Sequence, residues 1–96
     1  MAQFQYLPRD KGSFILEQSG TRIAEMVVDI SAGVVSVYHT GVVEEAQGQG
    51  LGTRLVKEMA AYARQNSLKV IPYCPFVKKL FKRHPEQYAD VWLREK

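Results

Sequence analysis

Apolar and polar residues alternate through most of the first 43 positions. Phe4–Leu7 is a short apolar–polar stretch ended by Pro8 and predicts a first strand. Arg9-Asp10-Lys11-Gly12 reads as a turn. Ser13–Gln18 carries Phe14, Ile15 and Leu16, and Ser19-Gly20 turns it into Thr21–Ile30. There Arg22, Ala24, Met26, Val28 and Ile30 fall on one strand face, because successive side chains point to opposite sides. Ser31-Ala32-Gly33 is the next turn, and Val34–Val43 is rich in the β-branched residues of a central strand. The first half predicts an antiparallel meander.

The pattern changes at Glu44. Glu44–Gly50 is polar and glycine-rich. Leu51, Leu55, Met59 and Tyr62, with Val56 and Ala63 beside them, form a helical stripe that ends at Gln65-Asn66-Ser67. Leu68–Tyr73 predicts another strand, bounded by Pro72 and Pro75. Phe76, Val77, Leu80, Phe81 and His84 return to helical spacing before Pro85. Glu86–Leu93 has room for a last short helix. The order β-β-β-β-α-β-α defines an α+β sheet with a strand–loop–helix unit in its second half.

Composition narrows the class. Ninety-six residues suit one domain, residues 1–96. With 46% hydrophobic and 24% charged residues, the profile is that of a soluble globular protein. There is no long apolar run for a membrane span. Met1–Gly12 lacks the apolar block of a secretory signal. Cys74 is the single cysteine, which excludes an internal disulfide and makes a reducing, cytoplasmic setting the expectation. The net charge of +3 and pI near 9.1 suit an anionic partner, whether nucleic acid or a phosphorylated cofactor, without choosing between them.

The segment between Val34–Val43 and the Leu51 helix carries the chemistry. Glycines stand at 48, 50 and 52, where a ligand can approach the backbone closely. The first N–H groups of a helix have no internal partners and lie at the positive end of its dipole. A strand, a glycine-rich turn and a helix therefore make a phosphate cradle. It is not a P-loop, because Thr53 and Arg54 follow Gly52 where Lys-Ser/Thr is required. It is not a dinucleotide fingerprint, because Thr53 stands where a glycine is needed and no early βαβ unit precedes it.

Gln47, Gly50 and Gly52 meet the Gln/Arg-x-x-Gly-x-Gly/Ala pattern, and the chain resembles the GNAT superfamily of acyl-CoA-dependent N-acyltransferases. It is most similar to a small single-domain group. The shared blocks are His39-Thr40-Gly41-Val42, Gly48-Gln49-Gly50-Leu51-Gly52, Cys74-Pro75-Phe76-Val77 and His84-Pro85-Glu86. The resemblance implies a truncated GNAT-like fold that uses acetyl-coenzyme A and an amine acceptor. It implies that the N–H groups of Gln47, Gly48, Gln49, Gly50, Leu51 and Gly52 hold the cofactor's pyrophosphate. Val42 and Val43 would pair with the pantetheine arm, and Thr53 and Arg54 would add contacts near the phosphates. No metal is expected.

Two departures from the family follow. Typical members place two helices between their first strands, where this chain has only the turn near Pro8–Gly12, so an open, shallow acceptor site is expected. Many members also carry an Asn-x-x-Ala-x-x-Leu/Phe-Tyr run whose Tyr protonates the departing thiolate. Here Cys74, Val77, Leu80 and Phe81 occupy those places, and Phe81, beside the cofactor by this alignment, has no proton to give.

Cys74 would then lie beside the thioester, with three open roles. It could protonate the leaving group, carry the acyl group covalently or fill a strand end as a small apolar residue. His39 is the first choice of base for the acceptor ammonium, ahead of Glu44 and Glu45. His84 suits a helix-end cap, and Tyr88 and Trp92 suit packing. Lys78, Lys79, Lys82 and Arg83 make a basic stretch open to the adenosine 3′-phosphate, an acidic partner or solvent. A non-catalytic acyl-coenzyme A-binding module is the alternative reading, and a basic nucleic-acid-binding domain ranks last.

Overall fold

The computed structural model describes residues 2–8 and 12–94. Five strands form one sheet in sequence order: β1 (Gln3–Leu7), β2 (Ser13–Gln18), β3 (Thr21–Ser31), β4 (Val34–Val42) and β5 (Lys69–Pro72). The first four pair antiparallel, and β5 runs parallel to β4. Helix α1 (Leu51–Gln65) links β4 to β5. Helix α2 (Pro75–Arg83) and the short α3 (Pro85–Tyr88) follow β5. A single 3₁₀ turn, Glu44–Ala46, precedes the glycine loop that the sequence leaves irregular. The Arg9–Lys11 part of the expected first turn lies outside the described residues. Among those described, no helix is long and apolar enough to cross a membrane.

The expected α+β architecture is present, and its strands and helices form for the predicted reasons. Leu55, Val56, Met59, Ala60 and Ala63 on the α1 stripe are fully buried. They pack on Phe14, Leu16, Met26, Val28, Val35 and Val37 of the sheet. Val77 and Phe81 of α2, with Tyr88 of α3, complete the same cluster, so all three helices cover one face of the sheet. Phe4, Tyr6, Phe14 and Tyr62 stack across β1, β2 and α1 with centroids 5.1–5.5 Å apart, which fastens the edge strand.

Two bulges correct the simple alternation read from sequence. Opposite Leu16 and Glu17, β3 supplies Ala24 and Arg22, so Ile23 is the extra residue. Arg22 therefore leaves the core face and forms a 3.3 Å ion pair with Glu25 in solvent. On β4, Val27 and Val28 oppose His39 and Val37, so Tyr38 is extra. Tyr38 and His39 are both exposed, while Thr40 and Val42 return to the helix-covered face.

The C-terminal segment also departs from expectation. The helix ends at Tyr88 rather than running to Leu93, and residues 91–93 lie beside β5. Val70 N–H donates to Val91 O at 2.7 Å, and Leu93 N–H donates to Val70 O at 2.9 Å. Arg64 holds this course: its guanidinium donates to the Gln87 carbonyl and to Asp90 Oδ2, the latter at 2.6 Å. Lys69 Nζ donates to Asp90 O at 2.6 Å.

The Arg64 hydrogen bond depresses the Asp90 carboxyl below the ordinary range, against a small opposing desolvation. A depressed carboxyl stabilises the fold above its unfolded pKa and loses that contribution as pH falls through the folded value. Asp90→Asn is expected to lower the melting temperature at pH 7 by a few degrees. The difference from wild type should vanish in acid below the ordinary carboxylate range. Thermal melts across pH check this, and a difference that persists in acid contradicts it.

Candidate active site

Strand β4 has nine residues and β5 has four, and their pairing stops at Val37↔Pro72. Cys74 N–H closes the junction by donating to Val37 O at 2.9 Å. Beyond it the two chains diverge. Val43 N–H donates back to Ile23 O at 3.0 Å on the β3 side. Backbone groups alternate along an antiparallel strand, so those of Thr40 and Val42 face the gap left by β5.

Helix α1 opens into the same gap. Its N-cap, Gly50, has φ +72° and no side chain to cap the helix. Gly48 has φ +86°, so two left-handed residues shape the loop, a conformation that favours glycine. The first intrahelical bond is Arg54 N–H to Gly50 O, at 3.0 Å. Among the described residues, no backbone acceptor takes the N–H groups of Gly48 or of Gly50 through Thr53, while Gln49 closes the turn over Gln47 and Gly48. The first turn of α1 also holds no carboxylate to offset the dipole. These amides border a cleft of about 400 Å³ whose walls include Thr40, Val42, Gln47, Leu51, Thr53 and Phe76.

Most of the predicted cofactor residues therefore come together. Val42, Gln47, Gly48, Gly50, Leu51, Gly52 and Thr53 line this one cleft, and Gln49 lies within the same exposed loop. Gln47 Nε2 donates to Val42 O at 3.2 Å and ties the loop to the open strand edge.

Four predicted residues are placed differently. Val43 spends its N–H on β3 and is turned away from the gap. Arg54 is committed elsewhere: Nε pairs with Glu58 at 2.9 Å and Nη2 donates to Ala2 O at 2.8 Å. Phe81 is fully buried, stacked on Tyr88 at 4.6 Å and edge-on to Trp92 at 5.5 Å, so its ring belongs to the core. His39 sits on the outer sheet face with Arg22 and Glu25, because the Tyr38 bulge turns it from the side that Thr40 takes.

Cys74 stands at the inner end of the gap. It is 5% exposed, and its Sγ lies 3.7 Å from Thr40 Oγ1, within the reach of a thiol hydrogen bond. Thr40 in turn lines the cleft. Thr40 and Phe76 line the cleft as well, although the sequence placed them only within shared blocks and gave neither a role. Phe76 is 40% exposed, and its Cζ lies 3.0 Å from where a Cβ on Gly52 would stand. A glycine inside a helix, costing about 1 kcal/mol against alanine, was the available signal of that close approach. Among the described residues, no group of three His, Cys, Asp or Glu could hold a metal ion, and no polar or charged residue is buried.

A strand that parts from its parallel neighbour beside an uncapped, glycine-initiated helix is the arrangement that the GNAT resemblance implies. The family described as GCN5-related N-acetyl-transferase matches residues 13–91, and the chain belongs to that GNAT family. A GCN5-like protein from Staphylococcus aureus, solved in solution, superposes with a TM-score of 0.71 at 28% identity. That match covers 100% of this chain and 94% of that one. The ribosomal-protein-S18-alanine N-acetyltransferase of Escherichia coli shares the fold at TM-score 0.57 and 21% identity, over 68% of this chain and 39% of that one. A GNAT acetyltransferase of Brucella melitensis, solved with acetyl-CoA, shares it at 0.55 and 17%, over 72% and 51%. No curated protein matches the sequence.

The buried environment of Phe81 makes a direct prediction. Phe81→Tyr should not supply the missing proton donor. It should instead lower stability by about 1–3 kcal/mol, because the new hydroxyl enters the core without a partner. Denaturant unfolding and acetyl-transfer assays check this, and a gain in turnover contradicts it.

Proposed function

We propose that the protein transfers an acetyl group from acetyl-coenzyme A to an amine, with the Gln47–Gly52 turn holding the pyrophosphate. The observation that supports this reading is the set of amides at Gly48 and Gly50 through Thr53 without a backbone acceptor, beside the cleft at the positive end of α1. The outward backbone groups of Thr40 and Val42 offer strand-like hydrogen bonds to the amide-bearing pantetheine arm. Phe76 covers the apolar flank of that arm. Held this way, the thioester points along β4 toward Cys74.

Catalysis then requires a proton for the departing thiolate and removal of one from the acceptor ammonium. The Thr40 hydroxyl faces the cleft, and the Cys74 thiol stands behind it as its donor. In this scheme the Thr40 hydroxyl would give its proton to the departing thiolate as the C–S bond breaks, and the Cys74 proton would restore the hydroxyl. The second proton shed by the acceptor nitrogen on amide formation would return, directly or through solvent, to the Cys74 thiolate. The slight exposure of Cys74 favours that role over covalent capture of the acetyl group. His39, on the outer face, is the base for an acceptor arriving from that side.

Calorimetric titration with acetyl-coenzyme A tests the binding half. Wild type should bind, and Gly50→Val should bind about tenfold more weakly or worse, since a β-branched residue resists φ +72° and obstructs the phosphates. No binding to wild type overturns the reading. Cys74→Ala tests the chemistry: single-turnover transfer should fall about 10²-fold with cofactor affinity retained. Unchanged turnover removes Cys74 from the mechanism.

A further inference from the structure

Beyond the cleft, at the β5 edge of the sheet, lies a second groove of about 320 Å³. Lys78 and Lys82 line it from one face of α2, four residues apart and thus on adjacent turns. Arg94 lines it from the C-terminal segment, with its guanidinium 3.9 Å above the Trp92 ring. Such stacking holds the cation in place at modest cost to its outward hydrogen-bonding capacity. Tyr73 closes the end nearest the cleft. No carboxylate among the described residues lines this groove, and Lys78 and Lys82 form no ion pair among them.

The groove is continuous with the candidate site. Tyr73 immediately precedes Cys74, and Lys78 N–H donates to Cys74 O at 3.0 Å in the first turn of α2. Tyr73 also stacks on Tyr38 at 5.5 Å and 3°, and Tyr38 adjoins His39. Thus Tyr38, Tyr73 and the three cations run outward in order from the gap where a thioester would end. Because α2 supplies Lys78 and Lys82, the groove runs along the β5 edge between α2 and the C-terminal segment, and Tyr73 links it to the exposed Tyr38 on the outer sheet face.

We infer that this groove binds the acidic part of the acyl acceptor, which is a peptide or protein segment whose reactive amine is followed by carboxylate side chains. The inference rests on the acetyl-transfer reading and adds the acceptor's chemical class. Charge complementarity is the argument. Three cations with no carboxylate among the described residues of the groove attract carboxylates, and the same field rejects a lysine-rich acceptor. The volume sits at the low end of the about 300–1,000 Å³ typical of small-ligand clefts, so it suits a few residues rather than a folded surface. The amine then lies at the Tyr38–Tyr73 mouth, beside His39 and the thioester.

The test uses matched peptides, one with Asp and Glu after its N-terminal residue and one with Lys at the same positions. Binding is read from the fluorescence of Trp92, the single tryptophan, which lies in the groove. Transfer is read separately with acetyl-coenzyme A. The acidic peptide should bind about tenfold or more tightly than the basic one, and added salt should erase the difference. Lys78→Ala with Lys82→Ala should remove most of that preference while acetyl-coenzyme A affinity stays at the wild-type value. Both lysines are exposed, so the variant should melt as wild type does.

Equal binding of the two peptides overturns the inference. So does a fall in coenzyme A affinity in the double variant, which would assign the groove to the cofactor's 3′-phosphate. Tighter, salt-steep binding of an oligonucleotide than of the acidic peptide overturns it as well. Selective acidic-peptide binding without transfer supports the groove and instead counts against the acetyl-transfer reading.

Discussion

Every buried backbone N–H and C=O in a fold needs a partner, and among the described residues the opening between β4 and α1 leaves a cluster of such groups facing one cleft. Strand β4 outlasts β5, so the groups of Thr40 and Val42 on that side face a gap. Helix α1 begins beside the gap on a glycine with no capping side chain. Gln47 satisfies one of these groups, the Val42 carbonyl, and in doing so draws the loop against the strand edge. What remains open beside the cleft is the set of Thr40 and Val42 N–H groups and the amides of Gly48 and Gly50 through Thr53. The rest of the molecule maintains that deficit: the α1 core residues hold the helix at the sheet, and Cys74 N–H fixes the point where the strands part.

The bulge at Tyr38 divides the labour between the two faces of β4. Without the extra residue, Thr40 would fall on the outer face and His39 on the helix-covered one. With it, Thr40 reaches the cleft and meets Cys74, while Tyr38 and His39 face outward. A single inserted residue thereby separates the cleft side of β4 from its exposed outer side. The Tyr73 and Trp92 groove with its cations lies at the β5 edge, where Tyr73 meets the outward-facing Tyr38.

Much of this was legible in the sequence, and the failures share a cause. The stripe Leu51, Leu55, Met59 and the β-branched run of β4 specify burial, and burial decides where elements form. The Gln47–Gly52 spacing marked the loop because glycine at φ +86° and +72° answers a backbone need visible one residue at a time. Bulges leave no such mark, so Arg22 was read on one strand face with Ala24, Met26 and Val28, and the face that His39 takes on β4 could not be read. Arg54 looked like a phosphate ligand until a fold-level contact, the Ala2 carbonyl, claimed its guanidinium. The segment after Tyr88 read as helix because its pairing partner, Val70, is distant in sequence. Phe81 matched a motif position while packing decided its surroundings.

The most direct measurement of the central claim is an amide-resolved NMR titration with coenzyme A. The account predicts that the largest shifts, in fast or slow exchange according to affinity, fall on the N–H groups of Gly48, Gly50, Leu51, Gly52 and Thr53. The Thr40 and Val42 amides should follow, and the α3 amides should stay unmoved. Shifts centred on the Lys78–Arg83 face, or none in the loop at saturating cofactor, would contradict it.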